Sequence, residues 1–264
     1  MGLDLMLENN SDSALVKTSV KTSLKKSVKT GDLLLTPEKV IIIEDTAIIS
    51  DLHLGIEQSM PGSVPRLQIR EIVESVEDIF KSYEIDRLIV NGDMKHEFSQ
   101  NMPYEWDDVR YFVESVQEFG ELSVVRGNHD NYLAAILAKY GIKLEKSIQL
   151  KDWTIAHGHE AIEAEKLIIG HEHPSIRIRS GYASYTYPCF LRSKKVELGV
   201  EKELIVLPAF SPMVTGSDVI TTFSFLSPIL NSFSSSEIGV YAVEDRVYSM
   251  GNLKKLREIV ERRI

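Results

Sequence analysis

Leu122-Ser123-Val124-Val125-Arg126-Gly127-Asn128-His129-Asp130 runs an apolar tetrad into a glycine, an amide, an imidazole and a carboxylate. The tetrad reads as a short buried strand. The polar residues after it then fall in the loop at the strand's C-terminal end. The same layout recurs in both directions. Thr46 to Ser50 leads into Asp51-Leu52-His53, and Arg87 to Val90 into Asn91-Gly92-Asp93, with His96 close behind. Trp153 to Ala156 leads into His157-Gly158-His159, and Leu167 to Ile169 into Gly170-His171-Glu172-His173. All 7 histidines of the chain lie in these motifs. Imidazole is the commonest neutral metal ligand and the usual proton donor near neutral pH, so their confinement points to one site.

Helices separate these strands. Ile69, Ile72, Val73, Val76, Ile79, Phe80 and Tyr83 follow helical spacing over Arg66 to Tyr83, which makes them core. Pro103 opens a second helix that runs to Phe119, and Tyr132 to Tyr140 forms a third that stops at Gly141, as proline and glycine punctuation predicts. Strands alternating with helices predict an α/β fold with covered sheet faces. In such sheets ligands bind where loops converge beyond the strands' carboxyl ends.

Thr36-Pro37-Glu38-Lys39 separates Leu33–Leu35 from Val40–Ile43, a hairpin pattern. Glu203 to Leu207, Ile220 to Leu226 and Ile238 to Val243 read as further strands, and Leu253 to Arg263 as a basic helix. Residues 1–30 differ. Val16 to Thr30 reads VKTSVKTSLKKSVKT, a near-tandem repeat whose Val, Ser and Thr content makes a poor helix. We read 1–30 as a mobile N-terminal arm, its lysines solvated, and 31–264 as a single domain.

The 264 residues are 43% hydrophobic and 26% charged with a net charge of -9, an ordinary globular balance. The acidic excess argues against a broad basic coat for nucleic acid, although bound metal can neutralise phosphate locally. The single cysteine, Cys189, excludes an intrachain disulfide and a cysteine zinc cluster. No apolar run reaches the ~20 residues that span a bilayer, and the acidic start is unlike a signal peptide. A cytoplasmic location with no membrane partner is the expectation; protein partners are not legible.

The candidate metal ligands are Asp51, His53, Asp93, Asn128, His157, His171 and His173. Asp51 and His53 stand two apart, and so do His171 and His173, which places each pair on one face of an extended segment. This set is too large for one tetrahedral zinc. It suits two adjacent divalent ions with one shared carboxylate, and manganese, iron, zinc and nickel are all compatible with the mixed donors. Two ions ~3.5–4 Å apart activate a water and stabilise in-line displacement at phosphorus.

Asp-x-His, Gly-Asp, Gly-Asn-His-Asp, His-Gly and Gly-His-x-His stand in this order across residues 51–173, and together they resemble the calcineurin-like metallophosphoesterase superfamily. The resemblance implies a two-sheet β-sandwich flanked by helices. It implies that Asp51, His53, Asp93 and His173 hold one metal, and that Asp93, Asn128, His157 and His171 hold the other. Attack would come from a water or hydroxide bridging the metals, with His129 stabilising the phosphate or protonating the leaving oxygen. His96 occupies the position where many members carry an aspartate that orients the catalytic imidazole. That histidine, with His171-Glu172-His173-Pro174 and Leu207-Pro208-Ala209-Phe210-Ser211-Pro212, is similar to the archaeal SbcD-related phosphoesterases. The pair His129 and His96 is therefore the catalytic candidate, and a phosphodiester of DNA or RNA the candidate substrate, in the context of DNA repair.

Residues 174–195 interleave cations with aromatics and hold no acidic side chain. Arg177, Arg179, Tyr185 and Arg192 are candidate substrate contacts, since stacking on aromatics beside cations suits single strands. The alternative is an outward-facing hairpin with strand-period alternation. His159 has no assigned role, Asp130 reads as a cap or as an orienting group for His129, and Glu172 as a supporting or exposed residue. Two other readings stay open: a small-molecule phosphatase or cyclic-nucleotide phosphodiesterase with the same centre, and a non-catalytic scaffold of the same fold.

Overall fold

In the computed structural model, residues 26–59, 66–99, 102–180 and 182–261 are described. The first sheet runs β1 (Val28–Thr30), β2 (Leu33–Leu35), β3 (Ile41–Ile43), β4 (Thr46–Ile49), β5 (Arg87–Asn91), β6 (Glu121–Val125) and β7 (Leu144–Glu145) in spatial order. β1 to β4 form an antiparallel meander, and β4 to β7 are parallel. Val28–Thr30, the last three residues of the expected arm, pair with β2. Residues 1–25 of that arm lie outside the described residues.

The second sheet holds β8 (Ile148–Leu150), β9 (Trp153–Ile155), β10 (Lys166–Ile169), β13 (Val200–Val206), β12 (Ala183–Glu197), β11 (Pro174–Ser180) and β14 (Ser217–Asp218). β15 (Ile238–Val243) pairs with β12 and with β16 (Val247–Asn252). β9, β10 and β13 are parallel.

Both faces of the buried strands are apolar, and strand period sorts them. Ile41, Ile43, Ile48 and Ile89 meet Trp153, Ile155, Ile168, Phe190 and Ile205 in the sandwich interior. The alternate residues Ile42, Ala47, Ile49, Leu88 and Val90 face helices α1 (Leu67–Tyr83) and α2 (Pro103–Phe119). On the far face Leu167, Ile169, Leu191 and Val240 meet Leu253 of α4 (Leu253–Glu261) and residues of the 219–233 segment. Helix, sheet, sheet and helix are the layers implied by the sequence.

α1 buries the predicted stripe of Ile69, Ile72, Val73, Val76, Ile79, Phe80 and Tyr83. Its start has no side-chain cap at Arg66. The buried Glu57 carboxylate accepts instead from the backbone N–H groups of Arg66, Leu67 and Gln68. Negative charge at a helix N-terminus satisfies orphan donors and the helix dipole together. Tyr132–Tyr140 splits into α3 (Leu133–Leu137) and a 3-10 turn over Ala138–Tyr140.

The strand expected at Ile220–Leu226 does not form. Thr221 and Thr222 fold back to donate to the Asp218 carbonyl, and the Phe225 N–H donates to Asn231 Oδ1. Ile220 and Phe225 are buried all the same, as plugs over the second sheet. Their apolar character reflects burial without strand pairing.

Candidate metal centre

β4, β5, β6, β9 and β10 end at one edge of the sandwich, and the loops beyond them carry the histidine motifs. Three clusters of potential metal ligands form there among the described residues. One is His53, His96 and His129; the two that share a carboxylate are Asp51, His53, Asp93 and His173, and Asp93, His157 and His171. Asp93 belongs to both. His173 Nε2 stands 3.0 Å from Asp51 Oδ1, and His157 Nε2 3.3 Å from Asp93 Oδ2. His53 Nε2 is 3.3 Å from His173 Nε2 and 4.0 Å from Asp93 Oδ2.

The backbone bends sharply to present these groups. Asp51, His53, Asp93, His171 and His173 all have positive φ, between 45° and 65°. Each such non-glycine residue costs roughly 1–2 kcal/mol, and backbone strain of this kind gathers at functional sites. The preceding glycines let chains pass closely. A Cβ at Gly127 would collide with the Asp93 carboxylate, and one at Gly170 with Ser50 Oγ and the Asp51 carboxylate.

Buried polar residues hold the bends. The Asp130 carboxylate accepts from the N–H groups of Gly127 and Asp93, at 2.7 and 2.9 Å, and from Met94 at 2.9 Å. It thus ties the Asn128 loop to the Asp93 loop, a bracing role distinct from the cap or His129-orienting group read from the sequence. Gln68 of α1 donates from Nε2 to the carbonyls of Leu52 and His53 and to Ser211 Oγ, and accepts from the Gly55 N–H. Asn91 stitches the sheets together: its Nδ2 donates to the carbonyls of Ala156 and Ile168, 3.0 and 3.3 Å away. Glu172 is buried and accepts from the Ser227 N–H. The Lys39 ammonium donates to the carbonyls of Phe210 and Ser211, and the N–H groups of that pair reach back to the carbonyls of Ser50 and Asp51. None of these ties has a local sequence signal beyond a polar residue in an apolar setting.

Tautomers follow from the partners. A carbonyl only accepts, so His157 Nδ1 carries a hydrogen toward the Asn91 carbonyl, 2.9 Å away. When His157 is neutral, its Nε2 lone pair faces the carboxylates. This outer hydrogen bond is the usual way to orient a metal-binding imidazole. By the same reasoning His129 Nδ1 donates to the backbone carbonyl of His96, and His129 Nε2 points inward, 4.0 Å from Asp93 Oδ2. The His96 ring stacks on the His129 ring, 15° from parallel with centroids 5.9 Å apart. His96 thus positions His129 through its main chain as well as its ring.

Charge is distributed unevenly. Burial opposes ionisation of Asp51 and Asp93, yet the surrounding histidines hold both carboxyls below the usual range. Burial also opposes protonation of His157, but Asp93 and Asp51 push its pKa up to about 9. His173 shifts up against its burial through Asp51. His53 and His171 fall to about 4, first from burial. In the metal-free protein two imidazoles therefore neutralise the carboxylates, while the other two are neutral ligands in waiting.

The donor set fits a metal. Asn128 Oδ1 is buried without a hydrogen-bond partner, and His157 Nε2 lacks hydrogen-bond geometry to its neighbours. A buried unsatisfied polar group costs ~1–3 kcal/mol, which a divalent cation in this mixed oxygen and nitrogen cage would offset.

The substrate candidates outside this edge are dispersed. Arg177 and Arg179 lie on β11, one and three residues into its exposed stretch, and Tyr185 pairs with Ile178 across the hairpin. Arg192 departs from expectation. It sits level with Ile205 on β13, and its guanidinium pairs with Glu203 at 2.7–2.8 Å. That pair shares a pocket with Glu165 and Lys166 at the start of β10, whereas the histidine edge lies beyond the end of β10. The cause is length: β12 has 15 residues and crosses the whole sheet. His159 lies beside His157 and His171, ring centroids 5.3 and 6.1 Å away, with Glu160 3.9 Å from its Nε2.

The sequence profile of the calcineurin-like phosphoesterase family matches residues 45–190. The crystal structure of Pseudomonas putida nuclease MPE is similar in fold, with a TM-score of 0.62 at 17% sequence identity, over 85% of this chain and 98% of that one. No curated protein matches the chain. No helix among the described residues is long and apolar enough to cross a membrane.

Proposed function

This chain belongs to the calcineurin-like phosphoesterase family, and on that premise we propose that its histidine edge holds two divalent ions and hydrolyses phosphodiesters of DNA or RNA. The chain is a metal-dependent phosphoesterase; the nuclease reading is narrower. The observation that carries the dinuclear site is the Asp93 carboxylate, common to two of the three ligand clusters. In this reading Asp51, His53, Asp93 and His173 hold one ion, and Asp93, Asn128, His157 and His171 the other. Manganese is the first choice for the mixed oxygen and nitrogen set.

Divalent ions held there would supply Lewis-acid polarisation of the phosphoryl group and would lower the pKa of a water so that it can attack deprotonated. The protein does the rest. Asp51 and Asp93 provide charge, and the backbone bends fix the ligand geometry before any ion arrives. His129, its Nδ1–H committed to the His96 carbonyl, turns Nε2 towards the substrate, and as the imidazolium, with both ring nitrogens protonated, it would donate from Nε2 to a phosphoryl oxygen or to the leaving oxygen. Its side chain is 27% exposed, so a strand lying across the edge can reach it.

Three features support nucleic acid over a small ester. His96 stands where an SbcD-related nuclease would carry a histidine, the structural neighbour is itself a nuclease, and Arg177 and Tyr185 extend outward from the last ligand. Arg192, bound to Glu203, is left out of the substrate path. The domain boundary at residue 31 belongs to the same proposal, adjusted to include Val28–Thr30. The test compares single-stranded DNA, a chromogenic phosphodiester and a phosphomonoester under manganese. The proposal requires turnover of both diesters; turnover of the monoester alone would make the protein a phosphatase.

A further inference from the structure

The loop that follows Asp93 carries an aromatic side chain that the metal centre does not use. Phe98 is 53% exposed. Its ring meets the His129 ring edge-on, with centroids 5.9 Å apart at 75°. Burying a phenylalanine is among the larger single gains in folding, although isolated exposed apolar residues are common. Two observations separate Phe98 from those.

First, its backbone is pinned. The Asn131 side-chain amide donates to the Phe98 carbonyl at 3.1 Å, the Glu97 N–H donates to the Glu105 carboxylate, and the His96 N–H donates to the Leu54 carbonyl at 3.0 Å. The backbone that carries the phenyl ring is therefore tied down from residue 96 to residue 98. Second, of the other exposed aromatics, Phe223, Tyr111 and Tyr248 are capped by the cations Arg257, Arg66 and Arg246, and Tyr132, Tyr182 and Tyr185 are exposed without such a cap among the described residues. The ring contact of Phe98 is instead the imidazole assigned to the scissile phosphate.

We propose that Phe98 is a specificity-determining residue, a platform on which the nucleobase next to the scissile phosphate stacks. This rests on the nucleic-acid reading above. A base lies one sugar away from its phosphate, which is the relation of the Phe98 ring to the His129 ring. With phosphate at His129, the base falls over the phenyl. Stacking tolerates any base, because every base has a π-face. It also selects single strands, because a base in a duplex is already stacked and must leave its neighbours to reach the protein. The platform thus gives the site a preference that the metal ligands lack, since they recognise only the phosphate.

The experiment compares wild type, Phe98→Ala and Phe98→Trp in the full manganese-loaded chain. The substrates are a single-stranded oligonucleotide and an abasic strand of equal length. Wild type is expected to favour the base-bearing strand by about 10–100-fold in kcat/KM, the scale of one stacked base. The preference should sit mainly in KM. Phe98→Ala should collapse it towards unity, and Phe98→Trp should retain it. An alanine variant that keeps the wild-type preference overturns the platform while leaving the nuclease reading intact. If wild type cuts neither strand yet hydrolyses a chromogenic phosphodiester, the nucleic-acid reading fails and the platform falls with it.

Discussion

At the histidine edge the strand ends of β4, β5, β6, β9 and β10 deliver side chains into a small volume, and buried polar groups fix every bend. The β11–β12 hairpin starts one residue after His173 and runs outward, with Tyr182 and Tyr185 exposed. Both regions are rich in chemistry-bearing residues. Buried side chains such as Asp130, Gln68 and Asn91 tie the loops of the first together, whereas residues 177–179 and 183–186 of the hairpin are exposed. Parallel strands converge their loops, whereas an antiparallel hairpin distributes its side chains along its length. Density of suggestive residues in sequence is therefore weaker evidence of a site than a layout that makes backbones converge.

The sharpest way to break this contrast is at the group shared by two ligand clusters. Asp93→Asn removes the charge that both proposed ions need. We expect activity to fall by at least about 10³-fold, comparable to losing central transition-state stabilisation. A rate within tenfold of wild type would dissolve the shared-carboxylate assignment. His129→Asn comes next: metal content should survive while turnover falls by about 10²–10⁴, the scale of a general acid. Loss of metal in that variant would reassign His129 as a ligand.

The charge balance offers a third, smaller probe. In metal-free protein His157 has a pKa raised to about 9, above the ordinary ~6.5 of the unfolded chain. A raised histidine pKa contributes stability that is complete below ~6.5 and lost as pH climbs through 9. Thermal melting in chelator should therefore show Tm declining between pH 6.5 and 9. Saturating manganese should remove the decline, because ions and protons compete for the same imidazole. A metal-free protein that gains stability across that window would contradict the assignment.

The hairpin side of the comparison predicts the smallest effect. Arg192→Ala should leave diesterase activity within about twofold. Its partner Glu203 keeps Lys194 at 3.0 Å, so the loss should stay near 1 kcal/mol, or roughly 2–4 °C in Tm. A tenfold drop in kcat/KM with an unchanged fold would return that strand to the substrate path.

The same contrast explains what the sequence could tell. The ligand motifs were legible because each follows an apolar run that has to be a strand, and because α1 and α2 display their stripes openly. The braces were not, because their partners are distant: Asn91 reaches Ile168 and Gln68 reaches Ser211, and no local pattern encodes such pairings. Ile220–Leu226 misled because an apolar plug and a buried strand have the same composition. β16 went unread because Tyr248 to Asn252 carries little apolar alternation. Arg192 misled because position along β12 decides which edge a side chain serves, and the length of that strand emerges only from its pairing with β13 and β15.

Metal stoichiometry tests the central claim most directly. After removal of all metal and reloading with manganese, elemental analysis of the gel-filtered wild-type chain should find two ions per chain, with Asp93→Asn holding fewer than one. A single ion per wild-type chain at saturation, or two retained by the variant, would contradict a centre built around one shared carboxylate.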